Sequence, residues 1–142
     1  MNLSPAAEAL VREARVARLA TVDARGRPHI VPICFVYDGA CVYSALDTKP
    51  KRVPVERLLR VRNILVNPHV QLLVDRYDED WARLAYVQLR GVASILEPGP
   101  EHAEALRLLR QVHPVRLDAA GGASDDQGDN RGRRRLELDL GM

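Results

Sequence analysis

Aromatic residues are scarce in this chain: one Trp, one Phe and four Tyr among 142 residues. A core must therefore be built from Val, Leu, Ile and Ala, and a large ring on a polar segment calls for a reason. Cysteine is scarce too. Cys34 and Cys41 are the only two, which excludes a disulfide-stapled scaffold, and no His or Cys pair lies at zinc-ligand spacing, so no metal is expected. No run approaches the roughly 18–20 apolar residues that span a bilayer. The first eleven residues lack a basic leader region, and Glu8 and Arg12 break the apolar stretch. These absences lead to the expectation of a soluble, cytoplasmic protein with no membrane partner. An excess of one charge is missing as well: 21 Lys and Arg against 19 Asp and Glu give +2. That balance argues against a nucleic-acid protein working by bulk charge.

What is present suits one globular domain. Hydrophobic residues make up 46% and charged residues 28%, enough at this length to bury a core without staples. Ser4-Pro5 reads as an N-cap with proline at the first helical position, opening a helix to about Ala14. Residues 16–22 are extended, 23–28 form a turn cluster, and 29–37 and 40–45 are strands joined at Asp38-Gly39. With that two-residue turn Val36 faces Cys41 and Cys34 faces Tyr43. The thiols are then diagonal neighbours about 7–8 Å apart, long for a disulfide, and are expected to stay reduced.

Past a basic loop at 47–52, Pro54 is placed to start a helix with Val55, Leu58, Leu59 and Leu65 on its apolar stripe. Asn67-Pro68 stops it. Strand 70–74 follows, then an acidic connection at 75–80. Residues 83–96 read as one long strand or a pair bent at Gly91, and 101–112 as a helix. Residues 117–135 are rich in Gly, Asp and Arg and are expected to be disordered. Leu136, Leu138 and Leu140 alternate with acids, a pattern compatible with a terminal strand within 136–142. Residues 1–116 form the expected domain. Strands in meander order with segregated helices give an α+β architecture, most economically a small, partly open barrel. No βαβ alternation, G-x-G-x-x-G or P-loop supports a dinucleotide fold.

Two segments carry chemistry. Lys49, Lys51 and Arg52 lie within four residues of one another ahead of a helix, where side-chain cations and the positive helix end converge and suit a phosphate. A solvated basic loop is the plainer alternative. Trp81, the only tryptophan, sits beside the acidic run Asp78-Glu79-Asp80. An indole there fits a cofactor lip or a subunit interface, or else folds back over its own sheet edge. The histidines at 29, 69, 102 and 113 are scattered and read as structural. No G-x-S-x-G motif or activated Cys appears. Chemistry in such a chain would come from a cofactor, with the protein supplying orientation and charge.

The order Ala17-Arg18-Leu19-Ala20-Thr21-Val22-Asp23, Gly26-Arg27-Pro28-His29-Ile30-Val31-Pro32, the hairpin 35–43, Lys49-Pro50-Lys51-Arg52, Arg62-Asn63 and Asn67-Pro68 resembles the pyridoxamine-phosphate-oxidase-like split β-barrels. Residues 75–81 and the strand running to Gly91 resemble their deazaflavin (coenzyme F420)-dependent oxidoreductase branch from actinobacteria. The resemblance implies an FMN-binding-type, six-stranded antiparallel split β-barrel with peripheral helices, a homodimer with its cofactor between subunits. It also implies that Lys49, Lys51 and Arg52 grip the cofactor phosphate, and that Val31, Pro32 and Ile33 pass beside the ring system. Trp81 would reach the cofactor from the other subunit. The implied reaction is hydride transfer between reduced F420 and an electrophilic small molecule, with Tyr43, Tyr86 or water as proton source. Two alternatives are an FMN oxidase or reductase of the same fold and a non-catalytic cofactor-binding protein. The Gly/Asp/Arg-rich stretch at 117–135 departs from the family pattern.

Overall fold

The computed structural model describes residues 3–46, 58–113 and the backbone of 135–139. The elements run α1 (Pro5–Glu13), β1 (Val16–Val22), β2 (Pro28–Cys34), β3 (Val36–Tyr37), β4 (Cys41–Ala45), α2 (Leu59–Val66), β5 (His69–Arg76), β6 (Ala85–Leu96), α3 (Pro100–Val112) and β7 (Arg135–Asp139). The strands form one antiparallel sheet in the order β2-β1-β5-β6-β7-β4-β3. The architecture is α+β. No helix among the described residues is long and apolar enough to cross a membrane.

Seven strands stand where six were expected, because the single strand anticipated at 29–37 breaks at Phe35. β2 pairs with β1, while β3 pairs with β4. Phe35 itself is fully buried at the crossing. Pro28 and Pro32 lie within β2. A proline is tolerated in a strand only where its nitrogen points away from the neighbouring strand, so the backbone polar groups of residues 28, 30, 32 and 34 face away from β1. The Ser44 hydroxyl of β4 donates to the Cys34 carbonyl on that side, at 2.7 Å.

The β3–β4 register differs from the expectation by two residues. Val36 opposes Tyr43 and Tyr37 opposes Val42, and the Asp38 amide donates to the Cys41 carbonyl at 3.2 Å, which leaves Gly39-Ala40 as the turn. Asp38 is the cause: its Oδ1 accepts from the amides of Ala40 (2.8 Å) and Cys41 (2.7 Å). This holds the turn one residue further along than Asp38-Gly39. Cys34 lies before the break at Phe35 and pairs with Val16 of β1, so it does not face Tyr43. The two cysteines are not joined in a disulfide.

Ser4 caps α1 by accepting from the Ala7 amide at 3.2 Å, and Leu10 and Val11 face the core. The main core joins these to Ala17 and Leu19 of β1, Ile33, Phe35, Val42, and Leu72 and Val74 of β5, with Val61 and Ile64 of α2. The buried face of α2 is therefore Val61, Asn63 and Ile64, whereas Leu59, Leu65 and Val66 are exposed. The expected stripe through Leu59 and Leu65 was rotated away from this face, and Val55 with Pro54 lies outside the described residues. β6 continues through Gly91 without a break, with Gly91 opposite Val70. α3 covers a smaller cluster through Ala105 and Leu109 against Tyr43. Its end is tied down where His113 Nε2 donates to the Phe35 carbonyl at 2.9 Å. Residues 114–134, which include most of the segment expected to be disordered, lie outside the described residues.

Candidate functional site

Strand β2 alternates. Val31 and Ile33 oppose Leu19 and Ala17 and share their inward face, with Ile33 buried and Val31 half-buried. Pro32 opposes Arg18 and is exposed on the other face. The three residues expected to line one ring system are thus divided between two faces, because consecutive strand residues point opposite ways. Val31 and Ile33 stay together; Pro32 does not join them.

In phase with Val31 and Ile33, but two residues earlier, is His29. It opposes Thr21 of β1, and Thr21 is buried and accepts from Asn63 Nδ2 of α2 at 2.9 Å. Arg60, half-buried, lies one turn before Asn63 on the same helix. Nδ1 of His29 is buried and has no hydrogen-bond partner among the described residues. A polar cluster from two strands and a helix therefore closes this end of the inner face, and one of its nitrogens is unsatisfied, an arrangement that costs stability. The sequence reading passed over His29 as structural. The available signal was its phase, a lone imidazole at an inward position of an otherwise apolar alternation.

The loop at the other end of the sheet presents aromatic rings. Trp81, on a short 3₁₀ turn (Trp81–Arg83), is 74% exposed, and Tyr77 and Tyr86 are also largely exposed. The indole does not fold back over the sheet. Its position is set by the acidic residues beside it: Asp78 Oδ1 accepts from the Asp80 amide at 2.8 Å, and Asp80 Oδ1 from the Ala82 amide at 3.1 Å. Arg83 pairs with Asp78 at 3.4 Å, and Arg76 Nε donates to the Arg83 carbonyl at 3.3 Å. Arg18 of β1 pairs with Asp75 at the base of the hairpin. The acidic run organises backbone, and among the described residues no three His, Cys, Asp or Glu side chains gather as a metal site.

Within one chain Trp81 and His29 are far apart. From the rung of Thr21 to Arg76 is six residues of β5, about 20 Å at 3.4 Å per residue. At the β1–β2 turn end, on the face opposite the core, Ala20, Val22, His69, Gln71, Arg90 and Val92 border a shallow groove of about 510 Å³. Ile30 (64% exposed), Val92 and Tyr86 lie on that face too. Lys49, Lys51 and Arg52 lie outside the described residues. Of the tyrosines considered as proton sources, Tyr43 is buried and its hydroxyl donates to Glu101 Oε1 at 3.4 Å, whereas Tyr86 faces water.

An antiparallel sheet that crosses over at Phe35, with its helices set apart, defines a class shared with many solved structures. The heme storage protein HutZ from Vibrio cholerae superposes with a TM-score of 0.72, at 21% identity over 100% of this chain and 92% of that one. An FAD-binding protein from Mesorhizobium loti gives 0.69 at 19% identity, over 99% and 91%. An F420 reductase gives 0.65 at 23% identity, over 96% and 94%. At these identities the likeness establishes the fold. Residues 3–138 match the family described as pyridoxamine 5'-phosphate oxidase, and the chain belongs to that family. A comparison with curated proteins finds no match.

Proposed function

We propose that this chain is a deazaflavin-dependent oxidoreductase that works as a homodimer, holding F420 between two copies and presenting it to an electrophilic small molecule. The observation that carries this reading is Trp81. The segment 75–81, which resembles the deazaflavin branch, folds into a turn that fixes a solvent-facing indole, a surface suited to a flat conjugated ring. Bound there, reduced F420 would supply the hydride.

The chain's own residues bind, orient and exclude water. Lys49, Lys51 and Arg52 hold the phosphate end. Trp81 of a second copy covers the ring end, because within one chain it lies at the far end of the sheet from His29. The apolar residues exposed on the outer face at the β1–β2 turn end, Ile30 and Val92, support a face that a second copy covers. The acceptor takes up the hydride and a proton, the latter from Tyr86 or water.

A second reading, a carrier that binds a cofactor without turnover, is favoured by one observation: among the described residues no acid and base are paired beside the inner face. Fluorescence titration of the folded protein with F420 and FMN, with hemin followed by absorbance, separates these readings. F420 binding with turnover of an acceptor is expected. A yellow protein as purified favours FMN, and a folded protein that binds neither coenzyme defeats the enzyme reading. Lys51→Glu is expected to weaken F420 retention at least about 100-fold with the fold intact, since it replaces a phosphate contact by a repulsion; unchanged affinity removes the phosphate assignment.

A further inference from the structure

We propose that the outer face of the sheet carries a binding site for a small organic anion, a flat apolar body that ends in a carboxylate; the site is separate from the cofactor and goes beyond the reading above. The register places it. Ile30, Ala20, Gln71 and Arg90 lie on one rung across β2, β1, β5 and β6. Ala20 is the smallest of the four, so the face dips between Ile30 and Gln71, and there the groove of about 510 Å³ opens. On the neighbouring rung His69 opposes Val92. His69 is thus the diagonal neighbour of Arg90, with Cα atoms about 7–8 Å apart.

Charge selects the ligand. The outward positions of β1, β2, β5 and β6 carry one carboxylate, Asp75, and Arg18 holds it. In the adjoining β1–β2 turn the one carboxylate, Asp23, is taken by Arg27 and by the amides of Arg25 and Arg27. The exposed side chains of Arg90 and His69 have no hydrogen-bond or ion-pair partner among the described residues. A guanidinium presents a planar fork that meets a carboxylate with two parallel bonds, and the imidazole N–H adds a donor beside it. One permanent cation calls for a monoanion. Ala20, Val22 and Val92 line the rest of the groove, a poor match for a hydrated inorganic ion and a good one for an apolar body that gains by leaving water. Because the groove is shallow, that body is flat. A second copy over this face would close the groove to bulk water and strengthen the ion pair.

The probes are trans-cinnamate, a flat aromatic carboxylate, and cinnamamide, its neutral counterpart of the same shape, each titrated calorimetrically into the full-length protein. Cinnamate is expected to bind at least about tenfold more tightly than cinnamamide. Arg90→Gln is expected to bring cinnamate down to the level of cinnamamide with an unchanged melting temperature, since the exposed side chain has no partner to lose. Ala20→Leu raises the groove floor and is expected to weaken both probes about tenfold; where that variant does not fold, Arg90→Gln decides alone. The proposal is overturned by a folded wild type that binds no cinnamate or binds both probes equally. A preference for cinnamate that persists in Arg90→Gln, or a folded Ala20→Leu protein that binds as wild type does, overturns it too. F420 is titrated separately: binding of F420 without cinnamate removes this site and leaves the proposed function, and binding of cinnamate without F420 or FMN does the reverse.

Discussion

The two ends of the sheet are both polar, yet they are made rigid in opposite ways. At the end formed by the β1–β2 turn, order comes from burial: Thr21 and Asn63 bond to each other out of reach of water. At the end of the β5–β6 hairpin, order comes from short-range capture of backbone amides by the half-buried Asp78 and the exposed Asp80. The first arrangement hides its side chains; the second spends its hydrogen bonds on holding an indole in view. A protein gains little stability from a ring it leaves in water, so the hairpin adds little to the fold while the buried end frames it.

Breaking the buried frame has the largest expected effect on stability. Asn63→Leu strands the Thr21 hydroxyl and is expected to destabilise by roughly 1–3 kcal/mol, a loss of several degrees in Tm. Adding Thr21→Val should recover part of that loss, because both polar partners are then gone; a double variant no better than the single one would show that the pair is not coupled. Trp81→Ala sharpens the contrast from the other side. Unfolding should change by no more than about 0.5 kcal/mol, while F420 affinity or dimer formation falls about tenfold. A large drop in Tm would mean that the ring packs, and the two ends would no longer differ in kind.

The smallest effect lies in the β1–β2 turn. Asp23 accepts from the amides of Arg25 and Arg27 and from the Arg27 guanidinium. The Arg27 amide, then its guanidinium, holds the Asp23 carboxyl below its ordinary 3.8. A carboxylate lowered in the folded state stabilises it above the unfolded value, and that contribution is lost as pH falls below about 3.8. The Tm difference between wild type and Asp23→Asn should therefore be small at pH 6 and vanish toward pH 2; a difference that grows on acidification contradicts the assignment.

Much of this frame could be read from residue order. Ser4-Pro5, the 23–28 turn, β1 and α3 follow from caps, turn residues and periodicity, which are local. What could not be read depends on side chains acting across the chain or on competing local bonds. Asp38 capturing the amides of Ala40 and Cys41 shifts the hairpin by two residues. Asn63 is polar, so a stripe drawn through leucines misses the face of α2 that its bond to Thr21 turns inward. The break at Phe35 reflects a ring seated in the core, which period-2 alternation does not encode. Among the candidate residues, Trp81 stands out in the sequence because it is the only tryptophan and lies on an acidic loop. His29 does not, since only the structure shows that its nitrogen lacks a partner among the described residues.

The prolines of β2 reach further than the strand that contains them. With no amide hydrogen at 28 or 32, its outer margin offers Ile30 alone between two dead positions, too few donors to zip onto a foreign strand. A foreign strand that meets this margin finds no ladder to extend, and the sheet ends where β2 ends.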